Sequence, residues 1–190
     1  MAKEPGFAPD YVKEAGEYAP GSFLSSAFSN RMFGPTNEDI LWEHQYKVIT
    51  ELAEKGPCVI VGRCADYALA DEPHCLNIFV RSNMDDRIKR ISERLNVSEN
   101  KAKDIIKKKD KERSSYYNYY TSKKWGDIGS YDLCINSASY GIDGTVDFIY
   151  RMITAREGLP CDMVPSILAF PQICKYSAAK VLNLFSYISY

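Results

Sequence analysis

Residues 56 to 67 read GPCVIVGRCADY, and this stretch determines the fold that the sequence predicts. Gly56 and Pro57 end a helical pattern, and the four residues after them are continuously apolar. A short apolar run without polar alternation is typical of a strand that is buried on both faces of a parallel sheet. Gly62 and Arg63 come next, so we expect them just beyond the carboxyl end of that strand, where open α/β sheets bind ligands.

Similar runs occur further along the chain. LNIFV at residues 76 to 80 is a second apolar strand pattern, and LCI at 133 to 135 is a weaker third one. Helical patterns lie around and between the strands, opened by capping residues at Thr36, Ser82 and Ser98. Strands that alternate with helices predict an α/β fold with a mainly parallel sheet. The predicted helices run from the Thr36 cap to Gly56, from Met84 to Leu95, from Glu99 to about Tyr117, and onward from Asp143.

The composition of the 190 residues is that of an ordinary globular protein. Hydrophobic residues make up 45% and charged residues 26%, with a formal net charge of −1, which disfavours a protein that coats nucleic acid. No stretch has the pattern of a membrane span or of a signal peptide. The six cysteines form no CxxC pair, which suits reduced thiols and predicts no metal site. We therefore expect a cytoplasmic protein without a membrane or nucleic-acid partner.

The chain divides into three regions by composition. Residues 1–35 are rich in Pro, Gly and Ser and predict a loosely ordered helical arm. Residues 36–156 contain the strand and helix patterns and form the α/β domain. Residues 157–190 have few charges and many aromatic side chains, so we expect an extension of unknown role that packs on the domain or forms a homo-oligomer.

A cationic segment rich in tyrosine, KKKDKERSSYYNYYTSKKWGD at 107 to 127, contrasts with the near-neutral net charge. Cations among aromatic rings suit an anionic ligand that carries a flat ring, and nucleotides fit this description first. Tyrosines at 116, 117, 119 and 120 cannot all face a single core stripe. Either Tyr116 and Tyr120 pack while Tyr117 and Tyr119 lie near a ligand, or the reverse holds; the sequence leaves both open.

Three arginines near the ends of the predicted strands are further candidates. Arg63 could hold a phosphate or a base edge with its planar guanidinium, or it could be a surface side chain paired with Asp66 or Asp71. Arg87 and Arg90 lie on the helix after the second strand, where a solvated face with ion pairs is the ordinary explanation. Their closeness to the strand end favours a ligand role.

Four segments carry a family resemblance: GPCVIVGRCADY at 56–67, LNIFVRSNMDDRIKRI at 76–91, DKERSSYYNYYTSKKWGD at 110–127 and YDLCINSASYGIDGTVDFI at 131–149. They closely resemble the cytidylate kinase-like family of bacterial nucleoside monophosphate kinases. The tyrosine-rich and GIDGTVD segments are the specific ones, and the strand and helix pattern alone is not. The resemblance covers roughly residues 36 to 155, and weakly 1 to 35.

This resemblance implies a three-layer P-loop kinase-like fold and transfer of the ATP γ-phosphoryl group, with Mg²⁺, to a CMP-like pyrimidine monophosphate. It also implies a lid at about 84–127. Better-known cytidylate kinases have Asp after the Gly-Arg pair, where this chain has Cys64, so Asp66 becomes a second candidate for the acceptor contact. The candidate catalytic residues are Arg87, Arg90, Lys109 and Arg113, and the candidate substrate-binding residues are Gly62, Arg63, Asp66, Asp110, Tyr116 and Tyr117.

One expected motif is absent from the chain. No GxxxxGK[ST] string occurs, and the nearest one, GPCVIVGR at 56 to 63, is a predicted strand. In the family the first strand and the phosphate loop precede the region that begins this chain, so we expect both to be missing. An N-terminally incomplete chain is the favoured explanation, ahead of a catalytically inactive nucleotide-binding or oligomeric interaction protein and of a different ATP site. Very weak ATP turnover by this polypeptide alone is the expected consequence.

Overall fold

A computed structural model of the chain describes residues 36–156 and 181–186. The sheet in this part of the chain has four strands, and helices pack around it. A short 3₁₀ turn, Ile128–Ser130, precedes the third strand. In chain order the elements are α1 (Asn37–Lys55), β1 (Cys58–Val61), α2 (Ala65–Ala68), β2 (Cys75–Arg81), α3 (Met84–Leu95), α4 (Glu99–Thr121), β3 (Leu133–Asn136), α5 (Ser137–Arg156) and β4 (Val181–Ser186).

All neighbouring strands in this sheet are parallel, in the order β1-β4-β2-β3. Leu184 of β4 pairs with Val61 on one side and with Ile78 on the other, and Ile78 in turn pairs with Leu133. Since the strands are parallel, their carboxyl ends share one edge of the sheet. Six residues of the predicted C-terminal extension thus lie in the middle of the sheet, while the domain boundaries stay a prediction.

The side chains of β2 alternate between two packed faces. Leu76, Ile78 and Val80 join β3 and α5 in one apolar cluster. Phe79 packs on the opposite side against the tyrosines of α4, and Cys75 packs with residues of α1 and α2. A central strand covered on both faces is the arrangement that its unbroken apolar run predicts. The predicted α/β fold with helices on both faces of a parallel sheet is confirmed.

Helix starts follow local hydrogen-bond chemistry. Thr36 and Asp39 form the predicted capping box, in which each side chain accepts from the other residue's backbone N–H, at 3.2 and 3.1 Å. Helix α3 instead begins after Asn83, so the prediction that Ser82 opens it is wrong. The hydroxyl group of Ser82 is buried without a hydrogen-bond partner among the described residues. A cap needs its side-chain oxygen directly before the first turn, and Ser82 lies one residue too early.

Two other helix limits differ from the predicted ones. Helix α4 continues to Thr121, because its last tyrosines pack in the core rather than in a loop. The helical segment before β4 begins at Ser137 and is interrupted at Gly141, whose φ of 69° and ψ of 178° are not helical. Its regular second part therefore starts close to the predicted position after Asp143. Among the described residues, no helix is long and apolar enough to cross a membrane.

Candidate functional site

A left-handed turn connects β1 to α2 at the carboxyl edge of the sheet. Gly62, Arg63 and Cys64 have φ values of 68°, 59° and 52° in succession. Glycine adopts this conformation freely, whereas each of the other two residues pays roughly 1–3 kcal/mol for it. Cys64 is only 1% exposed, and Arg63 is half-buried at the edge of the sheet. Strain of this kind persists only where the surrounding structure enforces it, and such sites are often functional.

Directly after this turn, Asp66 is buried and hydrogen-bonded to α4. Its Oδ2 accepts from the Tyr117 hydroxyl at 2.6 Å, and its Oδ1 has no hydrogen bond of good geometry among the described residues. Burial raises the pKa of this carboxyl, while the Tyr117 bond, the charge of Lys123 and the nearby backbone N–H groups act in the opposite direction. Burial also raises the pKa of the Tyr117 hydroxyl, and Asp66 adds to the effect.

Tyr116 is the second buried tyrosine of α4. Its hydroxyl donates to Oε1 of Gln45 on α1 at 3.1 Å. Tyr119 and Tyr120 are half-buried, and Tyr120 stacks on Trp42 with ring centroids 4.7 Å apart. Burial does not divide the four tyrosines as either open arrangement predicts, because Tyr116 and Tyr117 are buried while Tyr119 and Tyr120 are partly exposed. Which of them lie near a ligand stays a prediction.

Helices α3 and α4 form a hairpin that corresponds to the predicted lid. Ile91, Ala102 and Ile106 make an apolar seam between them. Next to it, the guanidinium of Arg87 binds the Asp110 carboxylate through two hydrogen bonds of 2.8 and 2.7 Å. The Arg87 side chain is 8% exposed and that of Asp110 is 21% exposed. In this conformation the two predicted site residues bind each other and join the two helices.

The remaining lid candidates lie on α3 and in the middle of α4. Lys109 approaches Oε2 of Glu112 at 3.0 Å, close enough for an ion pair although not aligned as a hydrogen bond. Arg113 is one turn further along the same face, and Arg90 lies on α3; both are half-buried. Lys109 is thus adjacent to Asp110, and Arg113 lies between the Asp110 contact and the Tyr117 contact of the same helix.

Some residues of this region were not among the predicted site residues. Lys123 lies close enough to Asp66 to lower its pKa, and Tyr131 interacts with Tyr117. The sequence shows Lys123 only as one cation of the basic segment, and nothing near Tyr131 marks it. Only the tertiary contacts reveal their positions. Among the described residues, no group of three His, Cys, Asp or Glu side chains is arranged to hold a metal ion.

Comparison with known proteins agrees with the observed fold. A cytidylate kinase from Methanococcus aeolicus is 34% identical over 114 residues, which cover 56% of this chain and 61% of that protein. The chain thus spans about three fifths of the length of this curated relative. The crystal structure of an uncharacterized protein from Eubacterium ventriosum superimposes with a TM-score of 0.61 at 30% identity, over 82% of this chain and 88% of the other.

The sequence profile of the cytidylate kinase-like family matches residues 1–139. The match includes the β1 turn, the α3–α4 hairpin and β3. The resemblance that the four quoted segments predict is thereby confirmed. The chain belongs to the cytidylate kinase-like family.

Proposed function

We propose that this chain binds a nucleoside monophosphate beside the β1 turn and serves the transfer of the ATP γ-phosphoryl group to it. A CMP-like pyrimidine monophosphate is the proposed acceptor, because the relative from M. aeolicus is named a cytidylate kinase. Family membership supports a nucleoside monophosphate kinase-like role in general. The pyrimidine base and the phosphoryl transfer itself are the proposed part.

The observation that carries the proposal is the left-handed turn at Arg63. Its backbone holds an arginine at the carboxyl edge of a parallel sheet, which is where ligands bind in open α/β folds. A guanidinium offers two parallel N–H groups to a phosphate, which lysine cannot do. Backbone strain of the kind seen at Arg63 and Cys64 is concentrated at active sites and ligand-binding turns.

The α3–α4 hairpin supports the same function. Phosphoryl transfer needs chiefly positioning and cations around the transferred group, and mobile lids commonly supply both. We assign Arg90, Lys109 and Arg113 to phosphate contacts, since all three are cations of this hairpin and Arg113 lies one turn before Tyr117. Arg87 and Asp110 are assigned to holding α3 against α4, because each already engages the other.

ATP and Mg²⁺ are part of the proposal only because membership of the family implies them. The chain has no GxxxxGK[ST] motif, and the described residues include no carboxylate cluster of the size that would hold a metal. We therefore assign no residue of this chain to either group. Acceptor binding, rather than turnover, is the property that this chain's own residues allow to be tested.

Thermal unfolding with and without nucleotide tests the proposal. At a concentration of CMP about 100 times its Kd, binding stabilises a protein by about 2.7 kcal/mol, which raises the Tm by roughly 5–10 °C for a chain of this size. Arg63→Ala is expected to remove most of this rise, and cytidine without phosphate to produce none. Arg151→Ala is the matched control, because Arg151 is an exposed arginine paired with Asp147 on α5.

The outcomes separate the alternatives. If CMP, UMP and their deoxy forms all leave the Tm unchanged, acceptor binding is refuted. An equal rise for the Arg63→Ala variant places the site elsewhere. Rapid phosphorylation of CMP by the purified chain would contradict only the expectation of weak turnover.

A further inference from the structure

The turn that carries Arg63 is held in place by Cys64 and the start of α2, which directly follow it in the chain. Cys64 is buried against Phe79 and the α4 tyrosines. The backbone carbonyl of Cys64 accepts from the N–H groups of Tyr67 and Ala68, both at 3.0 Å. These bonds form the start of α2, a helix of only four residues. So short a helix contributes little stability of its own, and its side-chain contacts must fix the turn.

Asp66 connects α2 to α4 through a polar side-chain contact. It is 3% exposed, yet one of its oxygens has no well-formed hydrogen bond among the described residues. The other oxygen depends on the Tyr117 hydroxyl at 2.6 Å. A buried carboxylate that loses such a donor is driven towards water. Because Asp66 follows Arg63 by three residues, its movement would unwind α2 and release the strained turn.

Tyr117 itself is fixed by the surrounding elements. Its hydroxyl donates to Oδ2 of Asp66, and it also interacts with the neighbouring Tyr131. Its backbone carbonyl accepts from the Thr121 hydroxyl at 2.7 Å. About two turns earlier on the same helix, Asp110 holds Arg87 of α3. A displacement of α4 is therefore transmitted to Asp66 through one hydrogen bond.

We infer that Tyr117 is a positioning residue: its hydrogen bond to Asp66 keeps Arg63 in the conformation that binds the acceptor phosphate and links the acceptor turn to the lid helix. This inference rests on the proposed function for what Arg63 binds. The mechanical part, that the bond holds the turn, stands independently of any ligand. The two parts can therefore be tested separately.

The first test uses the Cys64 thiol as a probe of the turn. Tyr117→Phe removes only the hydroxyl, and native-state alkylation of Cys64, located by peptide mass mapping, reports how often the turn opens. The alkylation rate is expected to rise about tenfold, as the loss of a hydrogen bond to a charged group would allow. The exposed Cys134 serves as an internal reference.

Gln45→Leu is the matched control for this test. It removes another buried side-chain bond of the same helix region, between Tyr116 and α1, without touching the turn. In this variant the Cys64 rate is expected to stay within about twofold of the parent, since α2 keeps its bond to Tyr117. Equal Cys64 rates in the parent, Tyr117→Phe and Gln45→Leu proteins would overturn the mechanical link.

Calorimetric titration with CMP tests the positioning role. The Kd is expected to rise about tenfold in Tyr117→Phe and to change little in Gln45→Leu. The double variant Asp66→Asn/Tyr117→Phe should bind no more weakly than the weaker single variant, because both changes act on one bond. An unchanged Kd in Tyr117→Phe, with Cys64 more reactive, would refute positioning. Absence of binding by the parent protein would refute the proposed function, while the Cys64 rates still decide the link.

A further measurement covers the case in which Tyr117→Phe does not fold. Native-state hydrogen exchange on the unmodified protein compares the amides of Tyr67 and Ala68 with that of Tyr117. A linked unit predicts that all three open together, with the same dependence on denaturant. Opening of α2 at lower denaturant than α4, independently of it, would contradict the inference.

Discussion

The two halves of α4 attach to the rest of the molecule by different chemistry. The half that follows Glu99 exposes lysines and meets α3 through an apolar seam and the ion pair between Arg87 and Asp110. The half that ends at Thr121 buries aromatic rings and hydrogen-bonds α1 and α2 through tyrosine hydroxyls. The charged half thus belongs to the α3–α4 hairpin, and the aromatic half fixes that hairpin to the part of the fold that carries the turn at Arg63.

Removal of the ion pair in the charged half is expected to have the largest effect on stability. Arg87→Ala leaves the Asp110 carboxylate largely buried without its guanidinium, and we expect a loss of about 3 kcal/mol in the free energy of unfolding. Urea denaturation at neutral pH measures it. The double variant Arg87→Met/Asp110→Leu should recover most of the loss, because no buried charge is left behind. A loss under about 0.5 kcal/mol in Arg87→Ala, the value typical of an exposed pair, would show that the pair is not structural.

The first three strands and most helix limits could be predicted from local sequence, because apolar runs and capping residues act over a few positions. The site contacts could not. Tyr117 and Asp66 are 51 residues apart, and Arg87 and Asp110 are 23 apart, so no local pattern relates them.

The place of β4 was also beyond local prediction. Its apolar residues are visible in the sequence, but parallel strands pair across long connections that leave no local signature. The sequence therefore allowed the C-terminal segment to pack either on the domain or on a second copy of the chain. The backbone pairing with β1 and β2 puts residues 181–186 within the same sheet.

The aromatic half can be tested through its dependence on pH. Burial raises the pKa of Asp66 above its ordinary value of 3.8, so the folded protein binds this proton more tightly than the unfolded chain does. Stability therefore falls as the pH rises from 3.8 through the folded-state pKa. Asp66→Asn removes this titrating group. As the pH rises over this range, the free energy of unfolding of the parent should therefore decrease relative to that of the variant. Urea denaturation of both proteins between pH 4 and pH 8 measures the difference; a parallel course would show that Asp66 does not titrate abnormally.

The smallest expected effect separates two adjacent lysines of the charged half that share one partner. Lys108 reaches Glu112 at 3.9 Å with its side chain 75% exposed, whereas Lys109 approaches it at 3.0 Å and is 24% exposed. Lys108→Ala should lower the free energy of unfolding by less than about 0.5 kcal/mol, and Lys109→Ala by about 1 kcal/mol. In 0.5 M salt the loss at Lys109 should shrink less than the loss at Lys108, because the Lys109 pair is more buried. Equal losses would mean that Glu112 pairs with both lysines alike. A negligible loss at Lys108 means that its charge does not stabilise the hairpin, as expected for a lysine whose side chain is 75% exposed.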